Sequence, residues 1–102
     1  MPYGLSDRDM SVIQRIFSKY PEVQRVNIFG SRALGNFRSG SDIDLAILDD
    51  NVSAKVIRSI IAEFEDSNLP YRVDVLHYPS LQHQELREHI MRVGKLLAIH
   101  QA

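Results

Sequence analysis

Apolar residues near the start of the chain recur at the spacing of one helix face. The positions are Val12, Ile13, Ile16, Phe17 and Tyr20. The run Ser6-Asp7-Arg8-Asp9 has the form of a helix cap, and Pro21 cannot continue a helix. The pattern therefore predicts a first helix that ends before Pro21.

Further along, apolar runs with strand character alternate with helical patterns. Strands are predicted at residues 23–29, 42–48 and 71–77, and residues 95–100 could add a short fourth. A short helix is predicted at 31–34, closed by Gly35. A long helix capped by Ser53 and a final helix opened by Pro79-Ser80 and ended by Gly94 follow. This order predicts one α/β (α+β) domain over residues 1–102, with helices covering a sheet.

Composition narrows the class of protein only slightly. The formal net charge is −1, which favours neither a nucleic-acid-coating protein nor a polybasic membrane binder, so direct nucleic-acid binding is not expected. The absence of cysteine excludes disulfides, thiolate metal sites and cysteine nucleophiles. The first residues lack the form of a signal peptide, and no apolar run approaches the roughly 20 residues of a membrane helix. A cytoplasmic protein that does not enter membranes is predicted.

Two carboxylates inside a predicted strand are the most informative feature. Asp42 and Asp44 flank Ile43, so they share one face of the strand while Ile43 and Leu45 lie on the other. Charges at the edge of a core are costly unless they are compensated, and a divalent cation would compensate them. Asp74, between two valines on a later strand, is the candidate third ligand. Oxygen ligands favour Mg²⁺ or Mn²⁺.

A Gly-Ser turn lies ten residues before this pair. Gly30 allows a sharp bend and close approach to a ligand, and Ser31 would start a helix whose free N–H groups attract phosphate. The guanidinium of Arg32 or Arg38 could contact the remaining phosphate charge. The simpler alternatives are a plain strand-to-helix turn, surface arginines, and aspartates that cap a loop or face solvent. The histidines show no metal-ligand spacing, and Arg87-Glu88-His89 is predicted to be a solvated helix face.

Together, Gly30-Ser31, ten residues, Asp42-Ile43-Asp44 and a later Asp74 resemble the motif of the DNA polymerase β-like nucleotidyltransferase superfamily. Its minimal nucleotidyltransferase branch is the part that this chain resembles, both in small size and in the segments Gly-Ser-Arg-Ala and Ser-Asp-Ile-Asp-Leu. The resemblance implies the polymerase β-like fold, with a mixed sheet of three to five strands. It implies a catalytic metal site at Asp42, Asp44 and Asp74. It also implies triphosphate binding at Gly30 and Ser31. Leu34 departs from the family, which often has a second arginine there.

The same resemblance implies a function. Many such proteins are antitoxins that pair with a HEPN-domain toxin and transfer AMP from ATP to a tyrosine of that toxin. A short chain would need another chain to present the acceptor, so a homo- or hetero-oligomer is expected. Two alternatives remain open. One is a non-catalytic module that neutralises its partner by occlusion. The other is a nucleotidyltransferase of the antibiotic-modifying type, which would need a substrate pocket beside Asp74.

Overall fold

The computed structural model describes residues 1–100, in which four helices surround a sheet of four strands. The helices are α1 (Asp7–Phe17), α2 (Gly30–Leu34), α3 (Ala54–Glu65) and α4 (Gln84–Val93). The strands are β1 (Val26–Phe29), β2 (Ile43–Ile47), β3 (Val73–His77) and β4 (Lys95–Leu96). Short 3₁₀ turns occupy Pro2–Gly4 and Tyr78–Ser80.

The sheet is mixed, which confirms the predicted fold class. Its strand order is β3-β2-β1-β4; β2 and β3 run parallel, whereas β1 is antiparallel to both β2 and β4. In this register Asp44 lies opposite Phe29 on one side and opposite Asp74 on the other. The ends of three adjacent strands thus meet where the sequence carries its candidate chemistry.

Helices cover both faces of the sheet. On one face, α1 and α3 bury a large apolar cluster whose centre includes Ile13, Phe17, Ile28, Leu45 and Ile60. On the other face, Phe29 and Ala46 pack with Ile90 of α4. Because side chains alternate along a strand, Asp44 and Asp74 belong to this second face. No helix within residues 1–100 has the length and apolar character needed to cross a bilayer.

Two of the predicted helix caps are present. At α1, Ser6 Oγ accepts a hydrogen bond from the Asp9 amide, and the Asp9 carboxylate accepts one from the Ser6 amide, each at 3.0 Å. At α3, Ser53 Oγ accepts from the Val56 amide at 3.1 Å. Because these bonds join residues close in sequence, the N-terminal ends of α1 and α3 could be predicted from the sequence.

Two other predicted helix starts are wrong. The final helix begins at Gln84 rather than at Pro79-Ser80, because a 3₁₀ turn comes first and His83 Nδ1 then accepts from the Leu86 amide at 3.1 Å. The short helix begins at Gly30, one residue before Ser31, and has no side-chain cap. Histidine is not among the common capping residues, so the His83 cap of α4 could not be predicted from the sequence.

Several predicted elements are longer than the observed ones, including the strand predicted from residue 71, which begins at Val73. α1 ends at Phe17, where Ser18 Oγ donates to the Arg15 carbonyl at 2.6 Å. β1 begins at Val26 instead of residue 23, because the amides of Gln24 and Arg25 donate to Asp49 Oδ1 at 3.0 Å rather than to a neighbouring strand. The strand predicted within residues 95–100 is only Lys95–Leu96. A contact distant in sequence thus sets the start of β1, whereas a local bond accompanies the end of α1.

Candidate active site

The three predicted carboxylates lie at one end of the sheet. Asp44 and Asp74 are register partners on the parallel strands β2 and β3, so their Cβ atoms project from the same face of adjacent strands about 4.8 Å apart. Asp42 immediately precedes β2, is exposed, and lies two residues from Asp44 along the same strand path. The fold therefore gathers carboxylates that are up to 32 residues apart in sequence.

Burial and the neighbouring carboxylates both act on the Asp44 carboxyl. Burial raises the pKa of the Asp44 carboxyl above its ordinary value, and the negative charges of Asp74 and Asp42 raise it further. The positive charges of His89 and Arg32 oppose that rise in pKa. A half-buried carboxylate between two others is an environment that a bound cation would stabilise. The all-oxygen donor set fits a hard divalent cation such as Mg²⁺ or Mn²⁺.

The carboxylates are not arranged as a closed ligand cage. Within residues 1–100, no three acidic or histidine side chains converge in the arrangement of a metal site. Asp74 Oδ1 instead accepts a hydrogen bond from Arg72 Nε at 3.2 Å, and both side chains are well exposed. Arg72 lies two residues before Asp74 and therefore on the same side of the chain. The guanidinium supplies the positive charge beside Asp74 in this structure.

Gly30 brings the Gly-Ser turn against this carboxylate cluster. Its φ is +72°, a left-handed conformation that favours glycine. A Cβ built at Gly30 would collide with Asp44 Oδ2 and lie 3.3 Å from Asp44 Cγ. Ser31 follows at once, half-buried, in the first turn of α2. The turn expected to hold a triphosphate is thus in direct contact with a candidate metal ligand.

The structure gives Arg32 a different place from the one predicted. Its side chain is only 2% exposed. Its Nη2 donates to the Ser41 carbonyl at 2.7 Å and its Nη1 to the Tyr3 carbonyl at 2.8 Å, while Nε points to the Ser41 carbonyl at 3.1 Å. The guanidinium also lies 4.4 Å from the ring centre of Tyr71. This geometry favours anchoring of the loop before Asp42 over direct contact with phosphate.

His89 is a site residue that sequence reasoning missed. It was predicted to be solvated, but it is half-buried on α4, with its ring edge-on to Phe29 at a centroid distance of 6.1 Å. An imidazolium at this position opposes the rise in the Asp44 pKa, which burial and the neighbouring carboxylates still hold above its ordinary value. The signal was its spacing: His89 lies three residues after Leu86 and four before Val93, at the border of the apolar stripe of α4.

Arg87 is also predicted to be solvated, but its side chain instead binds main-chain carbonyl groups. Its Nη1 donates to the carbonyls of Tyr78 at 2.8 Å and Leu81 at 3.0 Å. The guanidinium lies 4.3 Å from the ring centre of Tyr78. Arg87 therefore links α4 to the 3₁₀ turn that precedes it.

Comparison with known proteins places the chain in a family. The family described as "Polymerase beta, Nucleotidyltransferase" matches residues 11–101, so the chain belongs to it and is a nucleotidyltransferase. The chain is also 30% identical over 90 residues to the probable protein adenylyltransferase MntA of Haemophilus influenzae, a match that covers 87% of this chain and 78% of that protein. The predicted family and enzyme class are confirmed.

Solved structures show the same fold. A toxin–antitoxin with AMP-PNP superimposes with a TM-score of 0.68 at 24% identity, covering 86% of this chain and 71% of that one. A tri-AMPylated HEPN toxin of Shewanella oneidensis in complex with an MNT antitoxin matches with a TM-score of 0.56 at 22% identity, covering 85% and 70%. These likenesses confirm the polymerase β-like fold that the Gly-Ser and Asp-x-Asp motif predicted.

Proposed function

We propose that this chain is an antitoxin that transfers AMP from ATP to a tyrosine hydroxyl of a partner HEPN toxin in the cytoplasm. The observation that carries the proposal is the contact between the Gly30-Ser31 turn and Asp44, with Asp74 opposite Asp44 in the sheet. The similarity to a probable protein adenylyltransferase supports AMP as the group transferred. A related fold in complex with an AMPylated HEPN toxin supports the class of partner.

Each site residue has a task in this reaction. The backbone amides at Gly30-Ser31 and the Ser31 hydroxyl bind the triphosphate. Asp42, Asp44 and Asp74 would hold Mg²⁺ or Mn²⁺, which when bound neutralises phosphate charge and lowers the pKa of the acceptor hydroxyl. Asp74 accepts the proton of that hydroxyl. The acceptor oxygen forms a bond to the α-phosphorus while the bond from that phosphorus to the bridging oxygen breaks, and pyrophosphate leaves.

Mass spectrometry of a co-expressed toxin tests the proposal. The product of the neighbouring gene, which the proposal requires to be a HEPN protein, is purified after expression with the wild type, with Asp44→Asn, or with Asp50→Asn. Asp50 is exposed and its replacement removes the same charge away from the site. We expect AMP on a toxin tyrosine with the wild type and Asp50→Asn, and no AMP with Asp44→Asn.

The same experiment separates catalysis from occlusion. If Asp44→Asn still protects cells from the toxin as well as the wild type does, this chain neutralises its partner by binding alone. If the toxin carries no AMP in any sample, the transfer proposal is wrong.

A small-molecule acceptor is the second candidate, because the structure contains the pocket that this alternative requires. A cleft of about 520 Å³ adjoins Asp74 and is lined by Ile61, Leu69 and Tyr71. Its volume falls within the range of about 300–1,000 Å³ that is common for ligand sites. A nucleotide found on a small hydroxyl compound and not on the toxin would favour this candidate.

A further inference from the structure

His89 differs from the other histidines in its bonding. His77, His83 and His100 each form a hydrogen bond with another group of the protein. Within residues 1–100, the ring nitrogens of His89 form none, and no fully buried side-chain nitrogen or oxygen lacks a partner. The nitrogens of His89 are therefore accessible to solvent. A half-buried ring with free nitrogens can bind a ligand.

Helix α4 holds this ring beside the candidate active site. The ring is edge-on to Phe29, with the two centroids 6.1 Å apart and the planes at 81°. Phe29 is the register partner of Asp44 and directly precedes Gly30. Side chains of register partners project from the same face of a sheet, and α4 packs on that face. Because α2, which begins at Gly30, also packs against α4, His89 lies near both Asp44 and the Gly-Ser turn.

His89 and Asp44 interact without forming an ion pair. Neither of the two ion pairs within residues 1–100 includes either residue. An imidazolium at position 89 nevertheless opposes the rise in the Asp44 pKa, so the two groups interact through space. A ligand could therefore bind Asp44 through a cation and His89 through an oxygen atom.

Two other basic side chains at the site are already bonded. The Arg32 guanidinium is buried and donates to main-chain carbonyls. The Arg72 guanidinium donates to Asp74. The ring nitrogens of His89, in contrast, are free within residues 1–100. An imidazole carries at least one N–H in either protonation state, and ionised phosphate oxygens accept hydrogen bonds, so a phosphate group suits this position.

The order of the strands indicates which phosphate His89 would meet. Phe29 ends β1, Asp44 lies on β2 and Asp74 lies on the edge strand β3. In the proposed reaction Asp74 accepts the proton of the acceptor, so the attacking oxygen is on the β3 side. Displacement at phosphorus is roughly in line, which puts the leaving pyrophosphate on the opposite side. That is the β1 side, where His89 packs on Phe29 and the Gly-Ser turn follows.

We propose that His89 is a further nucleotide-binding residue, which donates a hydrogen bond to an oxygen of the pyrophosphate that leaves. The inference rests on the proposed nucleotide site at Gly30-Ser31 and Asp44, and adds to it a group on α4. Negative charge grows on the departing pyrophosphate as its bond to the α-phosphorus breaks. A donor at this position therefore stabilises the transition state more than it stabilises the bound substrate.

Nuclear magnetic resonance of the ring nitrogens tests this contact in the wild-type protein. Mg²⁺ with α,β-methylene-ATP is titrated into the ¹⁵N-labelled chain, and separate samples receive Mg²⁺ with inorganic pyrophosphate or Mg²⁺ with AMP. We expect the triphosphate and pyrophosphate to shift the ring signals of His89, and AMP to leave them in place. The ring signals of His83, exposed at the start of α4, should respond to none of the three.

The outcomes separate this inference from the proposed function. Shifts of the Gly30 and Ser31 amide signals without a shift of the His89 ring would support the nucleotide site and overturn the inference. No shift at Gly30, Ser31 or His89 would overturn both. An equal response of the His89 ring to AMP would place the ring against the nucleoside monophosphate, and the assignment to pyrophosphate would be wrong.

Calorimetry of two histidine variants measures the contribution of this contact. His89→Phe keeps an aromatic ring against Phe29 and removes the N–H donor. His83→Asn removes an imidazole from the same helix and supplies a common capping residue. We expect His89→Phe to raise the Kd for Mg²⁺ with α,β-methylene-ATP about tenfold, through loss of a hydrogen bond to a charged group, and the Kd for AMP by less than about twofold. His83→Asn should bind both ligands as the wild type does.

Three results would refute the assignment of His89. They are an unaltered Kd for the triphosphate in His89→Phe, an equal loss of affinity for AMP in that variant, and an equal effect of His83→Asn.

Discussion

Replacing Gly30 by alanine tests whether the Gly-Ser turn and Asp44 are in contact, as the account requires. The added methyl group would lie against the Asp44 carboxylate. Gly35 provides a matched control, because its φ of +86° is also left-handed and no atom lies within 4 Å of the Cβ position. The difference between the two variants therefore isolates the collision with Asp44.

The expected magnitudes follow from these two environments. A left-handed alanine costs about 1–2 kcal/mol, and the smaller entropy of its unfolded chain offsets about 0.4–1 kcal/mol of that cost. Gly35→Ala should therefore lower the free energy of unfolding by only about 1 kcal/mol. Crowding at Gly30 adds about 1–3 kcal/mol. An additional 2 kcal/mol corresponds to a Tm lower by about 8–16 °C.

Thermal and urea unfolding of both variants provide the assay, together with a double-mutant cycle. Asp44→Ala removes the carboxylate atoms that the new methyl group would meet, so combining it with Gly30→Ala should recover most of the extra loss. The same combination with Gly35→Ala should be additive. Equal destabilisation by Gly30→Ala and Gly35→Ala, or no coupling between Gly30 and Asp44, would refute the contact.

Three further predictions concern charged groups around the site. In the metal-free protein, Asp44→Asn should reduce the pH dependence of stability. Because the pKa of Asp44 is raised in the folded state, that state binds more protons than the unfolded one, and wild-type stability falls as the pH rises above the ordinary Asp pKa. Urea unfolding from pH 4 to 7 should show a smaller fall in the free energy of unfolding for the variant. Arg72→Gln should bind Mn²⁺ up to about fivefold more tightly in calorimetry at low salt, because an exposed ion pair of at most about 1 kcal/mol no longer competes for Asp74. The control Arg25→Gln, at the far end of β1, should bind Mn²⁺ as the wild type does. Weaker binding by Arg72→Gln would contradict the account. Arg32→Lys should lower the free energy of unfolding by about 2–4 kcal/mol, because buried carbonyl oxygens lose their partners. Arg38→Lys, at an exposed position, should change that free energy by less than about 0.5 kcal/mol. Equal effects of the two variants in urea unfolding would argue against the role of Arg32 in anchoring the loop before Asp42.

The carboxylates and the Gly-Ser turn could be recognised from the sequence because their signals are local. Asp42 and Asp44 interrupt an apolar strand with a period of two, and Gly30 ends the preceding strand. The pairing of Asp44 with Asp74 required only that two neighbouring strands lie side by side in register. The helix caps at Ser6 and Ser53 were equally local.

The roles of Arg32 and His89 were not accessible in the same way. The guanidinium of Arg32 binds carbonyls of Tyr3 and Ser41, which lie 29 and 9 residues away and come together only in the folded chain. His89 reaches the site because α4 packs on the face that carries Asp44. The cleft beside Asp74 likewise depends on how α3 ends against β3, which no periodicity encodes.

The position of the transferred label is the most direct test of the central claim. The purified chain and its proposed HEPN partner are incubated with Mg²⁺ and ATP labelled at either the α- or the γ-phosphate, and labelled partner is quantified beside an Asp44→Asn control. Transfer of a nucleoside monophosphate predicts label on the partner from α-labelled ATP only, and none with Asp44→Asn. Label from γ-labelled ATP, or undiminished labelling by Asp44→Asn, would contradict the account.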